Sequence, residues 1–189
     1  MVETIILASA SPRRQELLQQ IGVPYEVVKS DAEEVLDAVE GPRALAVENA
    51  RRKAVAVAKR YPGRVVLGAD TVVFQDGNVY GKPKDAEDAR AMLRSFAGRR
   101  HAVVTGVALV TKDGVCRTDA AETEVFFSDL TDDEIAAYVA TGEPMDKAGA
   151  YAVQGRAAAF IPRIEGSFSN VVGLPLAEVA SLLRETGVR

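Results

Sequence analysis

The sequence predicts an α/β fold with a mixed β-sheet and flanking helices. Helical and extended hydrophobic patterns alternate along the chain, the mark of helices layered on a sheet. Two long strand patterns, residues 101–110 and 115–127, are separated only by the Lys112-Asp113-Gly114 turn, so the middle of the sheet is antiparallel. No internal repeat, low-complexity tract or linker divides the chain. Residues 1–189 therefore read as one domain.

The elements follow in order. Residues 5–9 form a short apolar strand. Ser11 stands at an N-cap position and Pro12 at the first helical position, where its missing N–H costs nothing. The helix of residues 13–21 puts Leu17, Leu18 and Ile21 on one face and stops at Gly22. A strand over 25–29 leads into the acidic stretch SDAEEVLD. Pro42 opens a long Ala- and Val-rich helix to about Arg60, ended by Pro62-Gly63. RVVLGADTVVF, residues 64–74, reads as a central strand interrupted at Gly68-Ala69-Asp70, and QDGN as a hairpin turn. Asp85 caps a helix to about Phe96, and Thr131 with Glu134 forms a capping box for a helix to Ala140. Residues 157–164 suggest a strand, EGSFSN a loop and residues 175–185 a closing helix.

Composition narrows the function. Lys and Arg number 23 against 27 Asp and Glu, a formal net charge of −4, which disfavours sequence-independent nucleic-acid binding. No apolar stretch approaches the ~20 residues of a membrane helix. The N-terminus lacks a secretory pattern, so a cytoplasmic location is expected. One cysteine, Cys116, and one histidine, His101, leave a structural zinc site or a Ser-His-Asp triad short of parts.

Four features carry chemistry. In LASASPRRQELL a strand feeds a helix N-terminus, whose unpaired N–H groups favour an anion. Arg13 and Arg14 sit at the positive end of that helix, where a cation is disfavoured by up to ~1 kcal/mol. An anion lying between them and the helix end would account for them; so would a solvated pair on a capped helix. In LGADTVV, Asp70 interrupts an apolar strand. That position suits a hard divalent ion, activation of a water, or merely a turn cap. Glu33, Glu34, Lys53 and Lys82 each read alone as surface charges. Arg51, Arg52 and Lys53 are consecutive, so a helix cannot turn all three into one cleft. Gln154, in a loop rich in small residues, offers an amide that both donates and accepts, as a base edge requires.

LASASPRRQELL, Glu33-Glu34, RRKA, LGADTVV, GKPKD, EPMDKAGAYAVQG and GSFSNVVGLPL occur here in the order and spacing of the Maf family. The chain resembles that family from residue 5 to about residue 183. The resemblance implies an elongated mixed sheet with two lobes around a cleft, similar to the inosine triphosphatases. It implies a nucleoside triphosphate pyrophosphatase that cuts between the α- and β-phosphates with a divalent cation, Mg²⁺ or Mn²⁺. By position, Ser9, Arg13, Lys53 and Lys82 match phosphate- or substrate-binding residues. Asp70 matches the proton acceptor, and Glu33 with Asp70 the metal site; Glu34 could exchange roles with Glu33. Arg13, Thr71 and Gln154 match the branch that takes dTTP and UTP, including modified pyrimidine nucleotides. A homodimer is compatible with the resemblance, whereas nucleic acid and membrane are not expected as partners. The alternatives are a 7-methyl-GTP-type pyrophosphatase and a non-catalytic nucleotide-binding regulator of cell division.

Overall fold

A computed structural model of the protein describes residues 3–37 and 40–188. Its centre is one seven-stranded sheet. In chain order the strands are β1 (Ile5–Leu7), β2 (Tyr25–Val27), β3 (Val66–Gln75), β4 (Asn78–Tyr80), β5 (Arg100–Val110), β6 (Cys116–Phe126) and β7 (Arg163–Glu165). They lie in the order β2-β1-β3-β5-β6-β7, with β4 also paired to β3. β1 is parallel to β2 and β3, and every other pairing is antiparallel, so the sheet is mixed as expected.

Both faces are covered. Along β1, Ile5 and Leu7 join one apolar cluster, while Ile6 and Ala8 join another on the opposite side. The second cluster belongs to α2 (Pro42–Arg60), whose Ala50, Ala54 and Val57 lie against Val66, Ala108 and Val110. The larger cluster gathers residues of α1 (Pro12–Gln20), α3 (Ala86–Phe96), α4 (Asp132–Ala140), α5 (Phe168–Val172) and α6 (Leu176–Glu185).

Local signals account for most boundaries. Pro12 and Pro42 open their helices, Asp85 accepts from the Asp88 N–H, and Thr131 with Glu134 closes a full capping box. The Asp76-Gly77 hairpin has positive φ at both residues, 51° and 82°, as a two-residue turn between twisted strands requires.

Three expectations are corrected. β3 is not interrupted: Gly68, Ala69 and Asp70 pair with Ala108, Val107 and Gly106 of β5 without a break. Gly68 serves packing instead, since a Cβ there would lie 2.5 Å from the Ala50 carbonyl oxygen of α2. One at Gly106 would meet the Ala46 backbone at 2.4 Å. The two glycines form a groove in which α2 lies directly on the sheet. Residues 157–164 are not a strand: a 3-10 segment, Arg156–Phe160, precedes β7, and only Arg163–Glu165 pairs with β6. EGSFSN is not all loop, because Ser167 accepts from the Asn170 N–H and starts the short α5.

Candidate active site

A cleft of about 800 Å³ opens where β1 stops. β1 pairs with β3 only through Leu67, and β4 takes up that edge from Val73 onward. Residues 68–72 of β3 therefore have an uncovered edge, and side chains from both faces of the strand reach the cleft. Such a point, where a sheet edge is vacated at a strand end, is a common ligand site in α/β folds.

Asp70 points toward α2. It is 8% exposed, and a buried carboxylate of this kind needs partners. Lys53 Nζ donates to its Oδ1 at 2.6 Å, and Asn49 Nδ2 donates to its Oδ2 at 3.3 Å. Lys53 also lies 2.6 Å from Glu34 Oε1, so one ammonium joins two carboxylates. Asn49 and Lys53 are four residues apart on α2 and share a face. Arg51 and Arg52 turn outward to Glu48. Of the three consecutive cations, only Lys53 enters the cleft.

Thr71, the next residue, faces the other side. Arg14 reaches it from α1: Nη2 donates to Thr71 Oγ1 at 3.1 Å, Nη1 to Ser9 Oγ at 3.1 Å and Nε to the Gly173 carbonyl at 2.8 Å. Thr105 Oγ1 donates its single hydrogen to the Asn170 carbonyl, so in the 2.8 Å Thr71–Thr105 contact Thr71 is the donor. The resulting chain runs one way, from Arg14 through Thr71 and Thr105 to Asn170. Burial pulls the Arg14 pKa below the ordinary arginine value, while the nearby Asp70 carboxylate acts to raise it.

Ser9 Oγ accepts from Arg14 and from the Ser11 N–H at 3.3 Å, which leaves its own hydrogen to donate into the cleft. Ser11 occupies the N-cap of α1, but its side chain makes no capping bond. The free N–H groups at the start of α1 thus face the same space as Arg13, which lies 3.9 Å from Asp146.

Of the residues singled out from sequence, Ser9, Arg13, Lys53, Asp70, Thr71, Lys82 and Gln154 all line this one cleft. Glu33 does not. Glu34, the neighbour that could exchange roles with it, lines the cleft instead. Asn49 fixes this stretch by accepting from the Val35 N–H at 2.7 Å and donating to the Val35 carbonyl at 3.0 Å. Arg14, which the resemblance does not match to a site residue, makes three side-chain hydrogen bonds there. Sequence reasoning missed Asn49, although an amide four residues before Lys53 on an apolar helix was the available signal. Asn170 was missed too: it is buried and donates to Val103 O and Thr123 Oγ1.

Fold and site together define a mixed-sheet α/β protein with a cationic cleft built around one buried aspartate. The fold is shared with the Ham1 protein of Staphylococcus aureus (TM-score 0.53, 18% identity, 97% of each chain). It is also shared with a HAM1 protein from Coxiella burnetii (TM-score 0.54, 17% identity, 96% of this chain and 98% of that one). The chain belongs to the Maf family, whose model, described as Maf-like protein, matches residues 4–186. It is 55% identical to a dTTP/UTP pyrophosphatase of Geotalea uraniireducens over 97% of this chain and 95% of that protein. It is 53% identical to a protein of the same name from Geobacter metallireducens, over 97% and 96%. Among the described residues no helix is long and apolar enough to cross a membrane.

Proposed function

We propose that this protein is a nucleoside triphosphate pyrophosphatase that hydrolyses dTTP and UTP to the monophosphate and pyrophosphate. The observation that carries the reading is the opposition, in one cleft, of a braced carboxylate and an arginine-flanked helix start. The relatives named dTTP/UTP pyrophosphatase, at 55% and 53% identity over nearly the whole chain, support it.

Hydrolysis of a phosphoanhydride is mostly positioning and neutralisation of charge. Ser9, the N–H groups of α1, Arg13 and Lys82 hold phosphate oxygens. Lys53 sits between Asp70 and Glu34 and offers its charge to the substrate. Asp70 orients the attacking water and takes its proton. The bond from water oxygen to phosphorus forms as the α–β bridging bond breaks, and the pyrophosphate carries away the electron pair. Gln154 reads the pyrimidine edge.

Two carboxylates, Glu34 and Asp70, converge on one positive point, the Lys53 ammonium, at 2.6 Å each. Oxygen donors so placed would fit a hard divalent cation in exchange for their contacts with Lys53. Among the described residues there is no cluster of three or more His, Cys, Asp or Glu, so the remaining ligands would be water and substrate phosphates, as is usual for Mg²⁺. When bound, the cation neutralises phosphate charge and lowers the pKa of a coordinated water.

The test is a panel of dTTP, UTP, CTP and 7-methyl-GTP with Mg²⁺ or Mn²⁺ and identification of products. Pyrophosphate and monophosphate from dTTP and UTP are expected. Orthophosphate as the product, preference for 7-methyl-GTP, or nucleotide binding without turnover would overturn the reading.

A further inference from the structure

Gln154 makes no side-chain hydrogen bond among the described residues, and it is exposed to the cleft. Its aim depends on the backbone beneath it. That backbone is a tight turn closed by the Gly155 N–H donating to the Ala152 carbonyl at 3.0 Å, with Val153 and Gln154 at its two central positions.

Both arms of the turn are held by one pair of side chains. The Ala152 N–H donates to the Tyr138 hydroxyl oxygen at 3.2 Å. The Arg156 N–H donates to Glu143 at 3.0 and 3.2 Å. Tyr138 in turn donates to Glu143 Oε1 at 2.8 Å, so the two anchors are locked to each other. Tyr138 is buried, and burial with the adjacent carboxylate raises its pKa, keeping the hydroxyl a donor. Gly155 lies against the carboxylate: a Cβ there would stand 2.3 Å from Glu143 Oε1. The turn is thus seated on Glu143 without space for a side chain between them.

We infer that Tyr138 and Glu143 are positioning residues for base selection: they fix the turn that presents the Gln154 amide. The inference rests on the reading of Gln154 as the base-reading group. A preset amide loses less freedom when the nucleotide binds, and it penalises a base whose edge does not match. Loosening the turn therefore affects discrimination between bases more than turnover.

The experiment measures kcat and KM for dTTP, UTP and CTP in the wild type, Gln154→Ala, Tyr138→Phe, Glu143→Gln and the double variant Glu143→Gln/Gln154→Ala, with Tm for each. Tyr138→Phe keeps the buried ring and removes only the hydroxyl. In Tyr138→Phe and Glu143→Gln the ratio of kcat/KM for dTTP over CTP should fall roughly fivefold, about the value of one hydrogen bond, mostly through KM. In the double variant the ratio should be no lower than in Gln154→Ala alone, because the pair acts through Gln154. A general structural role would lower activity on all three nucleotides alike and give additive effects, and that result overturns the inference. If Gln154→Ala itself leaves the ratio unchanged, the base-reading assignment has failed. If Gln154→Ala shifts the ratio and the other two do not, only the positioning role has failed.

Discussion

The two ends of the cleft are built differently. At the phosphate end, Ser9, Arg14, Lys53 and Asp70 stand on or beside β1, α1, α2 and β3 and are tied in pairs by their own side chains, Arg14 to Ser9 and Lys53 to Asp70. At the other end, Gln154 stands on a turn between 3-10 segments and is placed through its backbone, from behind. The first arrangement fixes charge where a reaction needs it and tolerates little change. The second lets one side chain vary while its support stays in place, which suits a position that selects among substrates.

Substitutions at the phosphate end test this difference between the two ends. Asp70→Asn should lower kcat by about a thousandfold, the value of a positioned base, without lowering Tm. A variant that keeps activity would remove Asp70 from the centre of the phosphate end. Gly68→Ala should cost about 3 kcal/mol, seen as a lower urea midpoint, because the new methyl group meets α2 backbone. Activity should fall in the same protein, since α2 carries Asn49 and Lys53; full activity would show that the α2–β3 fit does not set the site. Arg14→Lys keeps a charge but not the fork that spans Ser9, Thr71 and Gly173. A loss in kcat/KM of roughly tenfold or more is expected for all nucleotides alike. A change confined to one base would move Arg14 to the other end of the comparison.

The effect least tied to activity concerns His101, buried in neither end but beneath the cleft, where its Nε2 lies 2.7 Å from the hydroxyl of the cleft-lining Tyr151. Burial lowers its pKa from 6.5 to about 3. A depressed histidine pKa means that the folded state resists protonation that the unfolded chain accepts. Its contribution is fully present above pH 6.5 and is lost as pH falls toward 3, roughly 2 kcal/mol of it by pH 5. His101→Gln, which does not titrate, should show a smaller fall in Tm than the wild type between pH 7.5 and 5. Equal falls would mean that His101 is not buried neutral.

The same division sets what was legible in the sequence. The phosphate end is made of regular elements, so period, caps and turn residues located β1, α1, α2 and β3, but Lys53 alone reads as a surface charge, and it is the resemblance to the Maf family that groups it with Ser9 and Asp70. Asp70 reads as a strand break because a Gly-Ala-Asp run weakens strand preference. The groove that requires Gly68 exists only once α2 is folded onto the sheet, which no local pattern records. Glu33 and Glu34 were indistinguishable for a similar reason: the residue that decides between them, Asn49, is remote in sequence. The other end consists of short 3-10 pieces held by long-range contacts, so a strand was expected over 157–164 and Tyr138 with Glu143 went unnoticed.

Asp70 and Thr71 are consecutive yet serve opposite faces of β3. A slip of one residue onward in that strand would carry the carboxylate to the face where Arg14 meets Thr71 and take it away from Lys53. The long ladder with β5, from Val66 to Phe74, fixes the alignment. A single-residue insertion between Val66 and Asp70 would leave composition almost untouched and yet exchange the chemistry of the two faces. A change of length in this strand should therefore be tolerated even less than Gly68→Ala or Asp70→Asn.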